Sequence, residues 1–135
     1  VFNILMDNTD DHEKNHVLLM DDAQHLLLAP AFDVLPAAQG LGYQLMRVGA
    51  DANDATIGNA LSEASLFGLT KAEAVAEAAQ VAGVWAGWKA HFARSAVTAR
   101  DVAYLEQFID RDFLLAQRNE LGWRARQDSN LLPPA

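Results

Sequence analysis

Two short signatures constrain this chain more than anything else in it: Thr70-Lys-Ala-Glu73 and Thr98-Ala-Arg-Asp101. Each sets a threonine three residues ahead of an acid, the arrangement that satisfies backbone N–H groups left without partners at a helix start. Each also opens a run with apolar residues at three- and four-residue steps. The first run carries Val75, Ala78, Ala82, Trp85, Trp88 and Phe92, and the second carries Val102, Leu105, Ile109, Phe113 and Ala116. That period belongs to helices with one buried face. The expectation is two helices packed as an antiparallel pair, with the tryptophans in the core and in no cofactor role. A helical pattern begins at about Thr56, and Gly68, just past Leu66-Phe67, predicts a stop.

Upstream the pattern changes. Residues 1–6 read as the end of a helix, and 7–15 as a polar loop rich in turn formers. Residues 16–20 and 25–29 are short apolar runs separated by Asp21-Asp22-Ala23-Gln24, which predicts a β-hairpin. Pro30 ends its second strand. The stretch 30–42, with Pro36, Gly40 and Gly42, reads as irregular, and 43–48 as a further extended piece. Loop, hairpin and helices together predict an α+β fold that is mostly helical. No internal repeat is present.

Composition narrows the class. At 135 residues, 51% hydrophobic and 21% charged, the chain has the mix of a soluble globular domain with a core to bury. No apolar run approaches the ~18 residues of a membrane span, so no membrane partner is expected. The absence of cysteine excludes disulfides and thiolate metal sites and agrees with a cytoplasmic location. The opening Val-Phe-Asn-Ile-Leu-Met has no basic region before it, so it is not read as a signal peptide; it predicts an N-terminally truncated protein.

The net charge of -8 is unevenly spread. Residues 1–54 hold nine acids against two bases, Lys14 and Arg47, which leaves nine acids against eight bases in the rest. Such a field repels phosphates, so direct nucleic-acid binding is not expected. It suits divalent cations, or it is simply a solvated acidic surface.

The chemistry concentrates in residues 7–16, DNTDDHEKNH. His12-Glu-Lys-Asn-His16 spells H-E-x-x-H, which holds zinc when a helix puts both histidines on one face. Here turn formers precede it, β-like residues follow, and Asn15 inside it is a poor helix former. A third ligand would have to come from His25 on the hairpin. The competing reading is phosphoryl transfer. That chemistry needs a carboxylate to take the proton of the substrate hydroxyl, an amide or carboxylate a few residues on for magnesium, and a second carboxylate bridging metal and phosphates. Asp10 and Asn15 have the spacing of the first two, and Asp33 follows the hairpin as a candidate third. Spacing alone is weak, because Asp and Asn in loops are common turn residues.

The segment FNILMDNTDDHEKNHVLLMDD, followed by LLLAPAFDVLP, resembles the C-terminal lobe of HipA-family serine/threonine kinases, the toxins of bacterial toxin-antitoxin pairs. The family signature reads roughly F-N-x-L-x-x-N-x-D-x-H-x-K-N, then P-x-[YF]-D after a hairpin. Both parts stand here at the expected separation, and SEASLFGLTKAEA downstream is also similar. The resemblance covers about residues 1–119. It implies Asp10 as catalytic base, Asn15 and Asp33 as magnesium ligands, and His12 and Lys14 against the nucleotide phosphates. Asp11 falls at a turn, His16 is expected to begin a strand, His25 and His91 match no role, and Asp7, Asp21 and Asp22 are expected to be solvated. The resemblance further implies ATP and Mg2+, a translation-related protein substrate, and a cognate DNA-binding antitoxin of the HipB type.

Family members also carry an N-terminal lobe with a phosphate-covering loop and a nucleotide lysine. This chain has three lysines, Lys14, Lys71 and Lys89, and neither G-x-x-x-x-G-K nor G-x-G-x-x-G. A C-lobe inactive by itself is therefore expected. The alternatives are a non-catalytic module that binds an antitoxin or a separately encoded N-lobe, with Ile4, Leu5, Val34 and Leu35 as the exposed apolar face, or a gene remnant. Residues 120–135 lack apolar periodicity, and Arg124-Ala-Arg-Gln-Asp-Ser-Asn130 resembles chain ends read through the antisense strand of a transfer-RNA gene. That stretch is expected to be a disordered tail.

Overall fold

The structure is a computed structural model that describes residues 1–37 and 39–127. It is mostly helical with one small antiparallel sheet, as the α+β expectation holds. Helix α1 (Phe2–Leu5) is a single turn. After it come a three-residue 3-10 turn (Glu13–Asn15) and the hairpin of β1 (Leu18–Met20) and β2 (Leu26–Leu28). The pairing is Leu18 with Leu28, Leu19 with Leu27 and Met20 with Leu26. Asp21, rather than being merely solvated, organises the turn. Its carboxylate accepts hydrogen bonds from the Ala23 and His25 amides, each at 2.9 Å.

Residues 43–54 double back on themselves. The expected extended piece is reduced to two isolated bridges, Tyr43 with Asp54 and Gly49 with Ala52. Buried Gly49 is required there, since a Cβ would lie 2.0 Å from the Asn59 carbonyl oxygen. Helix α2 (Ile57–Ser62) is capped by Thr56, and the following 3-10 turn, Ala64–Phe67, ends on Gly68 in the left-handed conformation, as the sequence predicts.

Helix α3 (Lys71–Ala86) starts with the full capping box of Thr70 and Glu73 and turns Ala74, Val75, Ala78, Ala82 and Trp85 inward. Its small alanines let helix α6 (Asp112–Gln127) lie along it. Both long runs read from the sequence are broken in the structure. The first splits at Gly87 into α3 and α4 (Trp88–Arg94), where glycine weakens the helix by roughly 1 kcal/mol relative to alanine. The second splits at Asp110 into α5 (Ala99–Ile109) and α6. The pairing is therefore α3 with α6 and α4 with α5, in place of one antiparallel pair. Phe113, placed on the inward stripe by the periodicity, is half-exposed as a result, while Ile109, Leu114 and Leu121 are fully buried.

Two further expectations are corrected. Ile4 and Leu5 are core residues, not an exposed inter-lobe face, whereas Val34 and Leu35 are exposed. Helix α6 runs through residues 120–127 with Leu121 buried, so this part of the expected tail is helical. Residues 128–135 lie outside the described residues. Among the described residues no helix is long and apolar enough to cross a membrane.

The breaks at Gly87 and Asp110 meet in one polar cluster. The Asp110 carboxylate accepts from Trp88 Nε1 (3.1 Å), and it pairs with Lys89 Nζ (2.8 Å) and with Arg118 Nη2 (3.0 Å). Burial pushes this carboxyl up, but hydrogen bonds from Lys89 and Trp88, with the Lys89 and Arg118 charges, outweigh burial and hold it below its ordinary value. Hydrogen bonds to Asp110 and Glu106 hold Lys89 above its own. The depressed carboxyl contributes stability above its unfolded pKa of ~3.9, and that contribution is lost as pH falls through the folded value. The lysine contribution is present below its unfolded pKa of ~10.4 and is lost as pH rises through its raised folded value. Asp110→Ala leaves the buried Arg118 charge with only the Leu114 and Ile109 carbonyls for partners and should cost about 3 kcal/mol at pH 7 in urea denaturation. The difference from the parent should shrink toward pH 3.

Candidate functional site

The loop that carries the motif is built from the end of α1. Asp7 reverses the chain at φ +58°, a conformation that Asp tolerates better than most residues. The Asn8 amide returns to the Asn3 carbonyl at 2.9 Å. Asp7, Asn8 and Thr9 are buried and Asp10 emerges exposed. Asp11 then braces the loop from both ends. It accepts from Asn3 Nδ2 at 2.7 Å and lies 3.0 Å from His16 Nε2. Asn3 is held in turn by Asn8 Nδ2 at 3.3 Å. Asp11 is thus more than a turn residue.

The zinc geometry does not form. Residues 13–15 make one 3-10 turn between extended His12 and His16, so the two imidazoles do not stack on a helix face. His16 Nε2 is committed to Asp11, and His12 Nδ1 is buried without a hydrogen-bond partner. Among the described residues no three His, Asp or Glu side chains gather into a metal-holding group. His25 is taken by Asp21, 3.1 Å away in the hairpin turn.

The other expected residues lie as follows. Asn15 Nδ2 donates to the Asp10 carbonyl at 3.4 Å, a long hydrogen bond that ties the two motif positions together. With its amide N–H used in this way, the side-chain oxygen of Asn15 is left for another partner. Asp10 and Lys14 are exposed. A ligand approaching His12 could use only Nε2, because Nδ1 is enclosed. Asp33 is exposed at φ +55°. An open groove of about 450 Å³ runs between the two segments. Asp11 and Asn15 line it together with Phe32 and Val34, the neighbours of Asp33, while Asp10 and Asp33 themselves are not among its lining residues. An amide oxygen and carboxylates are hard oxygen donors of the kind that suits Mg2+, so the residue types fit that ion.

Two functional-looking residues escape a reading of the sequence. Asp7, expected in solvent, has a buried side chain that pairs with Arg111 Nη2 at 2.7 Å and accepts from the Gly40 amide at 3.0 Å. No local pattern announces an ion pair between positions 7 and 111. The only available signal is negative: an acid inside a run of buried residues needs a partner from somewhere.

Residues 1–88 match the family described as the HipA-like C-terminal domain. The match covers well over half of the chain, and the chain belongs to that family. No curated protein and no solved structure gives a significant match. The family match stops at Trp88, although the core continues through Ile109 and Leu121.

The bracing role of Asp11 has a direct consequence. Asp11→Ala removes an acceptor from part-buried Asn3 and from exposed His16, a loss of about 0.5–1.5 kcal/mol where water can replace it. Amide exchange at Asn15 and His16 should accelerate while exchange within α3 stays unchanged. Equal acceleration in both places would mean that Asp11 supports the whole fold and not the loop.

Proposed function

We propose that this chain supplies the base-bearing and magnesium-binding part of an ATP-dependent serine/threonine protein kinase of the HipA type. The observation that carries the reading is the Asn15–Asp10 hydrogen bond beside a groove that Asn15 lines together with Phe32 and Val34, the neighbours of Asp33. Asp10 is the general base. It takes the proton of the substrate hydroxyl as that oxygen bonds to the γ-phosphorus and the bond to ADP breaks. Asn15 and Asp33 would hold Mg2+, which would neutralise charge on the phosphates. His12 and Lys14 lie along the phosphate path. The nucleotide clamp comes from a further lobe, so the chain by itself is expected to transfer little or no phosphate. A cytoplasmic setting, a DNA-binding antitoxin and a translation-related protein substrate complete this reading.

Calorimetric titration with Mg-ATP tests it. Binding by the parent that is lost in Asp33→Asn supports the metal half-site, and no binding by either counts against it. With the further lobe supplied, transfer of labelled phosphate should fall at least 100-fold in Asp10→Asn, in the range that general-base catalysis contributes. Transfer that survives this change would remove Asp10 from the role.

A second reading, a non-catalytic docking module, is favoured by one feature. All six strand residues of the hairpin are exposed leucines or methionine, and Val34 and Leu35 add to that surface. If it is a docking face for an antitoxin or a separately encoded lobe, Leu19→Glu with Leu27→Glu should abolish co-purification with that partner. The same pair of changes should leave Mg-ATP binding intact.

A further inference from the structure

Asp7 and Arg111 are not part of the proposed chemistry, and Asp7 falls at a position that the F-N-x-L-x-x-N-x-D pattern leaves open. We infer that this pair is a positioning device which sets the spacing between the two halves of the proposed metal site, the Asp10–Asn15 loop and the Asp33 segment. The inference rests on the reading of the site given above.

Asp7 is the point where three distant segments meet. It lies three residues before Asp10, within the same turn. Its backbone carbonyl accepts from the Ala37 amide at 2.9 Å, and its Oδ2 accepts from the Gly40 amide at 3.0 Å. Among the described residues these two hydrogen bonds alone tie the stretch 30–40 to the rest of the protein. Asp33 sits four residues before the first of them and has exposed neighbours on both sides. Asp33 is thus held between two anchors, the hairpin base, where the Ala29 amide donates to the Val17 carbonyl at 2.8 Å, and Asp7, and only the second ties it to the Asp10 turn.

Arg111 makes that anchor tenable. A carboxylate as buried as Asp7 requires a charge partner, and Arg111 Nη2 provides it at 2.7 Å from the junction of α5 and α6. The guanidinium is oriented by Nε donating to the Phe108 carbonyl at 3.2 Å. It also lies directly against the loop, since a Cβ on Gly40 would fall 1.6 Å from Arg111 Nη1. Gly40 adopts φ +63°, so any side chain there is strained as well as obstructed. Arg111 lies beyond the family-matched residues 1–88, so the helical end of the chain reaches back to position the motif loops.

The test uses the full chain and Mn2+ as a paramagnetic probe. In the parent one bound ion should broaden the amide signals of Asn15 and Asp33 together. Gly40→Ala forces the loop and the Arg111 guanidinium apart without removing either charge, and Arg111→Met removes the partner. Both should abolish the broadening at Asp33, weaken Mn2+ binding at least about tenfold, as loss of outer-shell partners commonly does, and speed exchange at the Ala37 and Gly40 amides. Exchange within α3 should not change, and Arg111→Lys should restore part of the Mn2+ affinity. Joint broadening of Asn15 and Asp33 that persists in both variants overturns the inference. If the parent itself shows no joint broadening, it is the metal reading that fails. The clamp is then decided by exchange: faster Ala37 and Gly40 amides in Gly40→Ala uphold it, and unchanged amides overturn it.

Discussion

The structure hangs on the burial of a single helical turn. Four residues of helix have no stability of their own, because nucleation costs more than one turn returns. Helix α1 exists because Ile4, Leu5 and Met6 are taken into the core formed by α3 and α6, and because the Phe2 ring lies 5.3 Å from that of Trp85. Everything of functional interest is threaded from that turn. Asp7 begins one residue after Met6, and Asp10 surfaces three residues later. The position of the proposed base is thus inherited from hydrophobic packing.

Burial of polar groups immediately after the turn carries that rigidity outward. Asp7, Asn8 and Thr9 are nearly as enclosed as the leucine before them. Removing such groups from water is costly unless they find partners. Asp7 finds Gly40 and Arg111, Asn8 finds Asn3, and Asn3 in turn finds Asp11. A chain of hydrogen bonds therefore runs from the core to the motif loop and on to His16. Once formed, each member restricts the next, and this is how a polar loop acquires a fixed shape.

Local signals were legible in the sequence and long-range ones were not. Both threonine caps, the hairpin, though with strands shorter than the apolar runs 16–20 and 25–29, the stop at Gly68 and the tryptophans Trp85 and Trp88 in the core follow from short-range rules. That no α-helix runs through residues 12–16 also followed, from the turn formers before them and the β-like residues after. The breaks at Gly87 and Asp110 were missed because apolar periodicity continues across them. Asp110 leaves the helix for a reason held elsewhere, namely Trp88, Lys89 and Arg118. Asp7 was misread for the same reason. An acid beside a turn looks solvated until its partner, 104 positions away, is known. Residues 120–127 looked unpatterned, yet one buried leucine, Leu121, is enough to seat that end of α6 on the core.

The two sides of the candidate site are held by unequal means. The Asp10–Asn15 side is joined to the core directly through α1 and again through the linked Asn8–Asn3–Asp11–His16 network. The Asp33 side follows a hairpin of two three-residue strands, a length that is marginal in water, with exposed leucine on both faces. Asp21 and Asp22 put charge at its tip, which discourages pairing of its open edges with another chain. Nothing in such a hairpin can hold Asp33 against a neighbour by stiffness alone. The burden falls on the next anchor along the chain, the carboxylate of Asp7, and that anchor tolerates burial only because Arg111 neutralises it. The Asp33 side of the groove therefore depends on one buried ion pair as well as on the hairpin base, and the far end of the chain, just before α6, bears on the geometry of its opening residues.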